Sequence, residues 1–447
     1  MHISRLLVTK IKNGERILIT EFEEHAKALG YKDFTAIQRA VYQPLAEGKS
    51  VLGLAPTGSG KTVAFALPLL EKIKSEDGLS LLVLEPSAEL AMQTQRVLLE
   101  WGQLIGLSVE GMIGGVNIKR QIDRLKSHPN VIVGTTGRIT NLIDLGKLKL
   151  DSVQSIVIDE ADNLLSEETL PEIRALVDSA PESASLGFFS ATKSDLLSHI
   201  NRWFVQDILT FDVTKIDDTQ GNVKHGLLEV SNHKKELMLL RFLHMKDFKA
   251  LVFFDQMNTL QKVSGFLIHH HIREAAKLTS EQRQTSRQTA LKDFRKGKVR
   301  LLLTTDVAAR GIDIPKLPAV INFDLPKDPR TYVHRVGRTG RMHQDGLVIN
   351  MGDDHDLRNL KQLVRGDGYE LTKIYFDENQ LSDTRPSHPV ETGDSEAKQK
   401  KNVKKSSDDR TNGRKPVSHK SPVGHHEGKR KHKHSKRKGM HYKRTQK

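Results

Sequence analysis

The chain contains no cysteine among its 447 residues. Disulfides, thiolate metal sites and thiol nucleophiles are excluded together, and the absence fits a reducing compartment. No apolar run approaches the ~20 residues that span a bilayer, and the stretch that opens with Met1 and Arg5 lacks the apolar core of a secretory signal. A cytoplasmic protein that does not engage a membrane is expected. The first 378 residues also lack a strong charge: the formal net charge is +15, and residues 379–447 alone carry 20 Lys and Arg against 7 Asp and Glu, a net of +13. The basicity belongs to a tail.

What is present before that tail is an alternation of short apolar runs with amphipathic stretches, the pattern of an α/β fold with doubly wound parallel sheets. Strands are expected at Val51 to Leu54, Leu81 to Leu84, Val131 to Val133, Ser155 to Ile158, Gly187 to Phe189 and Ile208 to Phe211. A polar stretch breaks the alternation, and a second block follows with strands at Leu227 to Val230, Leu251 to Phe254, Val299 to Leu303, Val320 to Phe323, Leu347 to Asn350 and Leu371 to Phe376. The division expected is a first domain over 1–212, a linker over 213–224, a second domain over 225–378 and a tail over 379–447. In the tail Ser, Pro, Gly, His and basic residues dominate, so it cannot bury enough surface to offset chain entropy and is expected to be disordered when alone.

Two stretches carry chemistry. Ala55-Pro56-Thr57-Gly58-Ser59-Gly60-Lys61-Thr62 lies between an apolar strand and a helical run. Its glycines let successive N–H groups curl around a phosphate at a helix N-terminus, Lys61 reaches the β- and γ-phosphates, and the Thr62 hydroxyl is placed to ligate Mg²⁺. The chain is therefore expected to take a nucleoside triphosphate with Mg²⁺, which the resemblance given below makes ATP. Ile156-Val157-Ile158 leads into Asp159-Glu160-Ala161-Asp162, so acids begin where a buried strand leaves its sheet. Asp159 is placed to hold the metal, and Glu160 to polarise a water for attack on the γ-phosphate.

With that tetrapeptide the chain resembles a DEAD-box RNA helicase of helicase superfamily two, and matching motifs run from Gly30 to Arg341. The resemblance implies two tandem RecA-like domains and an RNA-stimulated ATPase that separates short duplexes or remodels RNA–protein complexes, acting as a monomer. It implies that Gln38 reads the adenine edge while Thr35 supports the phosphate loop, and that the hydroxyls of Ser190 and Thr192 bind Asp162 and couple hydrolysis to closure. Arg338 and Arg341 resemble arginine fingers that reach the γ-phosphate from the second domain, where a guanidinium fork matches phosphate geometry. Asp313 resembles a ribose contact and His334 a relay to Asp162. RNA-facing positions are implied at Gly114, Gly115, Gly137, Arg138, Gln284, Arg287 and Thr305, binding phosphates and 2′-OH groups without reading bases.

The chain departs from the family's pattern in several places. Ala88 stands where the family usually has Arg, Thr136 where it has Pro, Thr279-Ser280 where it has His-Gly, and Phe34 and Ala36 where it has prolines. Phe22 lies too close to Gly30 to serve as the family's adenine-stacking aromatic. The hydrolytic set is intact while RNA grip and adenine stacking lose side chains, so modest unwinding is expected. An ATP-gated RNA clamp or ribosome-assembly scaffold is the alternative, and a DNA translocase is disfavoured by the motif pair. Compact cores with basic tails resemble bacterial members, which suggests work in ribosome assembly or on cold-stabilised RNA.

Overall fold

The computed structural model describes residues 11–12, 15–16, 18–31, 33–219, 221–309, 314, 317–341, 343–366 and 368–385, without the side chains of 11–16 and of Gln284. A two-residue hairpin, β1 (Ile11–Lys12) and β2 (Glu15–Arg16), precedes the first sheet. That sheet comprises β3 (Ser50–Leu54), β4 (Leu81–Glu85), β5 (Val109–Met112), β6 (Val131–Thr135), β7 (Ser155–Ile158), β8 (Ser185–Ser190) and β9 (Ile208–Asp212). Its order is β5-β6-β4-β7-β8-β3-β9, and every pairing is parallel.

The second sheet comprises β10 (Val223–Glu229), β11 (Ala250–Phe254), β12 (Ala275–Leu278), β13 (Leu301–Thr305), β14 (Ala319–Asn322), β15 (Gly346–Gly352), β16 (Leu371–Asp377) and β17 (Gln380–Ser382). The order is β12-β13-β11-β14-β15-β10-β16-β17, parallel except for the closing β16–β17 pair. Both sheets lie in one compact unit that shares no strand between them.

Continuous apolar runs become strands here because helices cover both faces of each sheet. Side chains alternate across the strands: Val51, Val83, Val133, Val157 and Phe189 pack on one face of the first sheet, and Leu52, Leu82, Ile132, Ile156 and Phe188 on the other. The second sheet divides likewise, with Val252, Leu301, Ile321 and Ile349 opposite Leu251, Leu302, Val320 and Val348.

Besides the short β1–β2 hairpin, three strands escape the sequence pattern. β5, Val-Glu-Gly-Met, and β12, Ala-Ala-Lys-Leu, are four-residue edge strands of weak β propensity. β17 continues the second sheet past residue 378, because Gln380, Leu381 and Ser382 pair back onto β16. β10 begins at Val223, inside the stretch expected as linker, since its first residues pair with Gly346 and Leu347. Among the described residues, no helix is long and apolar enough to cross a membrane.

Candidate active site

In a parallel sheet all strands point the same way, so the loops that follow them gather at one edge. The carboxyl ends of β4, β7, β8 and β3 are consecutive in the first sheet. They deliver, side by side, Glu85, Asp159, Ser190 and Ala55. Register ties them together: the Asp159 N–H donates to the Leu84 carbonyl at 3.1 Å and the Ala55 N–H to the Ser190 carbonyl at 3.1 Å.

The loop after β3 turns on Gly58 (φ 87°) and Gly60 (φ 84°), left-handed conformations that glycine adopts without strain. A Cβ on Gly60 would meet the Gln38 amide at 2.6 Å. Gln38 is buried there; its carbonyl accepts from the Thr35 N–H at 2.9 Å and its amide donates to the Gly60 carbonyl at 3.3 Å. The Lys61 ammonium opens the helix Lys61–Leu70 and donates to the Ala55 and Pro56 carbonyls at 2.8 and 2.9 Å. Burial pushes its pKa down, opposed by the charges of Asp159, Glu160 and Asp162. Thr62 follows it on that helix. Ser59 Oγ and Thr35 Oγ1 are buried and find no partner among the described residues, so the cradle keeps polar atoms free for a ligand.

Beside the loop, burial raises Asp159 to about 6, against the pull of Lys61 and with the push of Glu160. Glu160 holds φ at 44°, a left-handed backbone on a residue with a full side chain. Its carboxylate accepts from Asn163 Nδ2 at 3.0 Å, which fixes its direction. The Asp162 side chain is fully buried. It accepts from the Thr192 hydroxyl and lies 3.0 Å from His334 Nε2. Burial alone would raise this carboxyl; His334, Thr192 and Arg330 together hold it well below the usual range. Ser190, expected to share Asp162, donates instead to the Thr192 carbonyl at 2.6 Å and so shapes the turn.

The second half of the chain supplies the facing wall. Asp328 caps the helix Pro329–Val336, accepting from the Thr331 N–H at 2.8 Å. From this helix and the turn after it come Arg330, His334, Arg335, Arg338 and Arg341. Arg335 is a fully buried strut, bound at 2.6 Å through both Nε and Nη2 to Asp306 and at 3.1 Å to Asn322 Oδ1. Arg338 donates to the His334 carbonyl at 3.3 Å and Arg341 to the Gly337 carbonyl at 2.6 Å. The Arg341 stem lies against Gly58, where a Cβ would meet it at 2.9 Å. Thr57 Oγ1 donates to the Gly337 carbonyl at 3.0 Å. A cavity of about 440 Å³ lies between the halves, lined by Glu160, Asp162, His334 and Arg338 among others. Asp313 lies outside the described residues.

A second group of expected residues forms a ledge at the ends of β5 and β6. The Gly114 N–H donates to Thr135 Oγ1 at 3.3 Å, Gly115 holds φ at 75°, and added side chains at Gly114, Gly115 or Gly137 would meet open space. Arg138 donates to Gln121 and, at 3.2 Å, to the Val116 carbonyl. Gln284 begins the helix Gln284–Arg295, and Thr305 ends β13. Arg287 is buried: it donates to the Thr279 carbonyl at 2.7 Å and lies 2.9 Å from Glu89 in the first half. Its geometry joins the two halves. Phe22 is core, edge-on to Trp101 at 5.4 Å.

Sequence reasoning missed Glu85 and Arg330. Glu85 is fully buried, accepts from Thr94 Oγ1 at 2.5 Å, and has its other oxygen without a partner among the described residues. Burial, then the charge of Asp159, pushes its pKa well up. An acid ending an apolar strand was the available signal. Arg330 had none, because its partners lie far away in the sequence.

Residues 35–199 match the family model of the DEAD/DEAH box helicases, and residues 234–343 that of the helicase conserved C-terminal domain. The chain is 36% identical over 355 residues to the probable ATP-dependent RNA helicase YfmL of Bacillus subtilis, covering 79% of this chain and 94% of that protein. To the DEAD-box ATP-dependent RNA helicase CshC of Bacillus cereus it is 35% identical over 361 residues, 80% of this chain and 92% of the relative. Among solved structures, S. cerevisiae Dbp5 bound to RNA and ADP BeF3 superposes with a TM-score of 0.71 at 27% identity, covering 80% of this chain and 93% of that one.

Proposed function

Since the chain belongs to the DEAD-box family and is an ATP-dependent RNA helicase, we propose how its own residues divide that work. The phosphate loop from Ala55 to Thr62 takes the triphosphate, with Lys61 exchanging its carbonyl partners for phosphate oxygens. Gln38 and Thr35 support the loop from the adenine side. The Thr62 hydroxyl and the Asp159 carboxylate are hard oxygen donors of the kind Mg²⁺ takes, and the buried hydroxyl of Ser59 within the loop, without a partner among the described residues, fits a site that fills on loading. When bound, the ion supplies charge neutralisation at the phosphates.

Glu160, aimed by Asn163, accepts a proton from the attacking water. Arg338 and Arg341 leave their backbone carbonyls to meet charge developing on the γ-phosphoryl group. The observation that carries this reading is Asp162: one carboxylate joins Thr192 of the first half to His334 of the second. Hydrolysis in the first half is thereby felt in the second, and we read 1–212 and 225–378 as the moving domains.

RNA is proposed to bind along the ledge of Gly114, Gly115, Gly137 and Arg138, continued by Gln284 and Thr305 on the second domain, through its backbone, while Asp313 is proposed to contact the nucleotide's ribose. Short duplexes or RNA–protein complexes in the cytoplasm are the proposed substrates, ribosomal or cold-stabilised RNA among them, with the protein acting as a monomer. Glu160→Gln tests the assignment. It should bind ATP and RNA yet turn over at least ~100-fold more slowly; near-normal RNA-stimulated hydrolysis would refute it.

A further inference from the structure

Of the contacts that hold the two halves together, one comes from a side chain with no part in the assignments above. Arg330 follows the Pro329 that opens the helix Pro329–Val336, one turn before His334. Its guanidinium crosses the cleft to the acidic tetrapeptide. It donates to the Asp162 carbonyl and, at 2.7 Å, to Asn163 Oδ1, while its Nε stands 3.4 Å from Asp162 Oδ2. The carboxylate it faces is fully buried, and Arg330 itself is 39% exposed.

Arg330 faces a carboxylate, a carbonyl and an amide oxygen, all on two adjacent residues of the first half. These groups are fixed by the fold, so Nη2 and Nε of the fork both meet protein. Asp162 thereby has three partners: Thr192 from its own half, and His334 and Arg330 from the other.

We propose that Arg330 is a positioning residue that clamps Asp162 and Asn163 when the cleft closes, and so sets how much RNA is needed to drive closure. The contact exists only between joined halves, and its acceptors belong to Asp162 and Asn163 rather than to the phosphate loop. Such binding shifts the population of the competent state without lowering the chemical barrier. Closure and RNA binding are linked, so whatever favours one favours the other by the same factor. The inference rests on the RNA-coupled reading above and adds a residue to it.

The test uses the full-length protein, MgATP and a single-stranded oligouridylate. In R330A the RNA concentration for half-maximal hydrolysis should rise about tenfold, the size of one lost charge-assisted contact. Turnover at saturating RNA should stay within about twofold. R330K should recover part of the loss, and R330E should exceed R330A because it sets a carboxylate against Asp162. The cysteine-free chain accepts a dye pair at Ser183→Cys and Lys262→Cys, both exposed. Fewer R330A molecules should be closed at a given RNA concentration. Lower saturated turnover with unchanged half-saturation would overturn the proposal, by assigning Arg330 to the reacting phosphate. Unchanged half-saturation and closure would overturn it by leaving the clamp without effect. A wild type whose hydrolysis ignores RNA would remove the underlying reading, a result distinct from either.

Discussion

Glu85 shows what one buried side chain costs. Burial, then the charge of Asp159, pushes its carboxyl well above the range in which the unfolded chain ionises it. The native state thus keeps a proton that the unfolded state releases, and stability falls as pH rises above the usual glutamate pKa toward the folded one. Glu85→Gln keeps the shape and the Thr94 partner without the charge. It should raise the melting temperature, more at pH 8 than at pH 5, by about 2–4 °C per kcal/mol recovered; equal shifts at both pH values would contradict a protonated Glu85. The residues legible from sequence were those whose chemistry is local: a Gly-rich loop and an acidic strand end carry their meaning within eight neighbours. Glu85, Arg330 and the buried Arg287–Glu89 pair take theirs from partners in other elements, which periodicity and spacing do not encode.

At the scale of elements, the turn after the helix Pro329–Val336 is fitted to the phosphate loop. A Cβ on Gly337 would stand 1.7 Å from Thr57 Oγ1. Gly337→Ala should therefore leave both sheets folded but prevent closure, cutting RNA-stimulated hydrolysis by at least ~10-fold. Adding Thr57→Ala, which removes the clashing hydroxyl, should restore part of it in the same assay.

The same helix is anchored from behind. Tyr332 is buried 2.8 Å from His225 Nδ1 on β10, and Asn350 on the adjacent β15 accepts from Asn322 a step from Arg335. Burial depresses His225 to about 4. It stays neutral in the fold while the unfolded chain protonates near 6.5, so stability is full above that pH and is lost as pH falls from about 6.5 to about 4. Up to about 3 kcal/mol is at stake. His225→Gln should flatten that part of the pH–stability profile, as denaturant titrations at pH 7 and pH 5 would show. Central strands were readable because both their faces are buried; the edge strands β5 and β12, with one neighbour each, carry no such signature.

For the whole molecule, charge separates the catalytic halves from the C-terminal segment. Residues 379–447 hold a net +13 of the chain's +15. Removing 386–447 should flatten the salt dependence of RNA affinity and raise the RNA concentration for half-maximal hydrolysis, with saturated turnover similar, because each phosphate neutralised releases counterions. An unchanged salt slope would make the tail a solubilising segment.

The two sheets are also consecutive in the chain, the first ending at Asp212 and the second starting at Val223. A ribosome adding residues at roughly 5–20 per second completes the first before the second exists. Nascent chains then carry the phosphate loop and both acids for several seconds, without His334, Arg338 or Arg341 to answer them. On the proposed assignment of those three residues, a nascent chain stalled before residue 334 should hydrolyse no ATP above background.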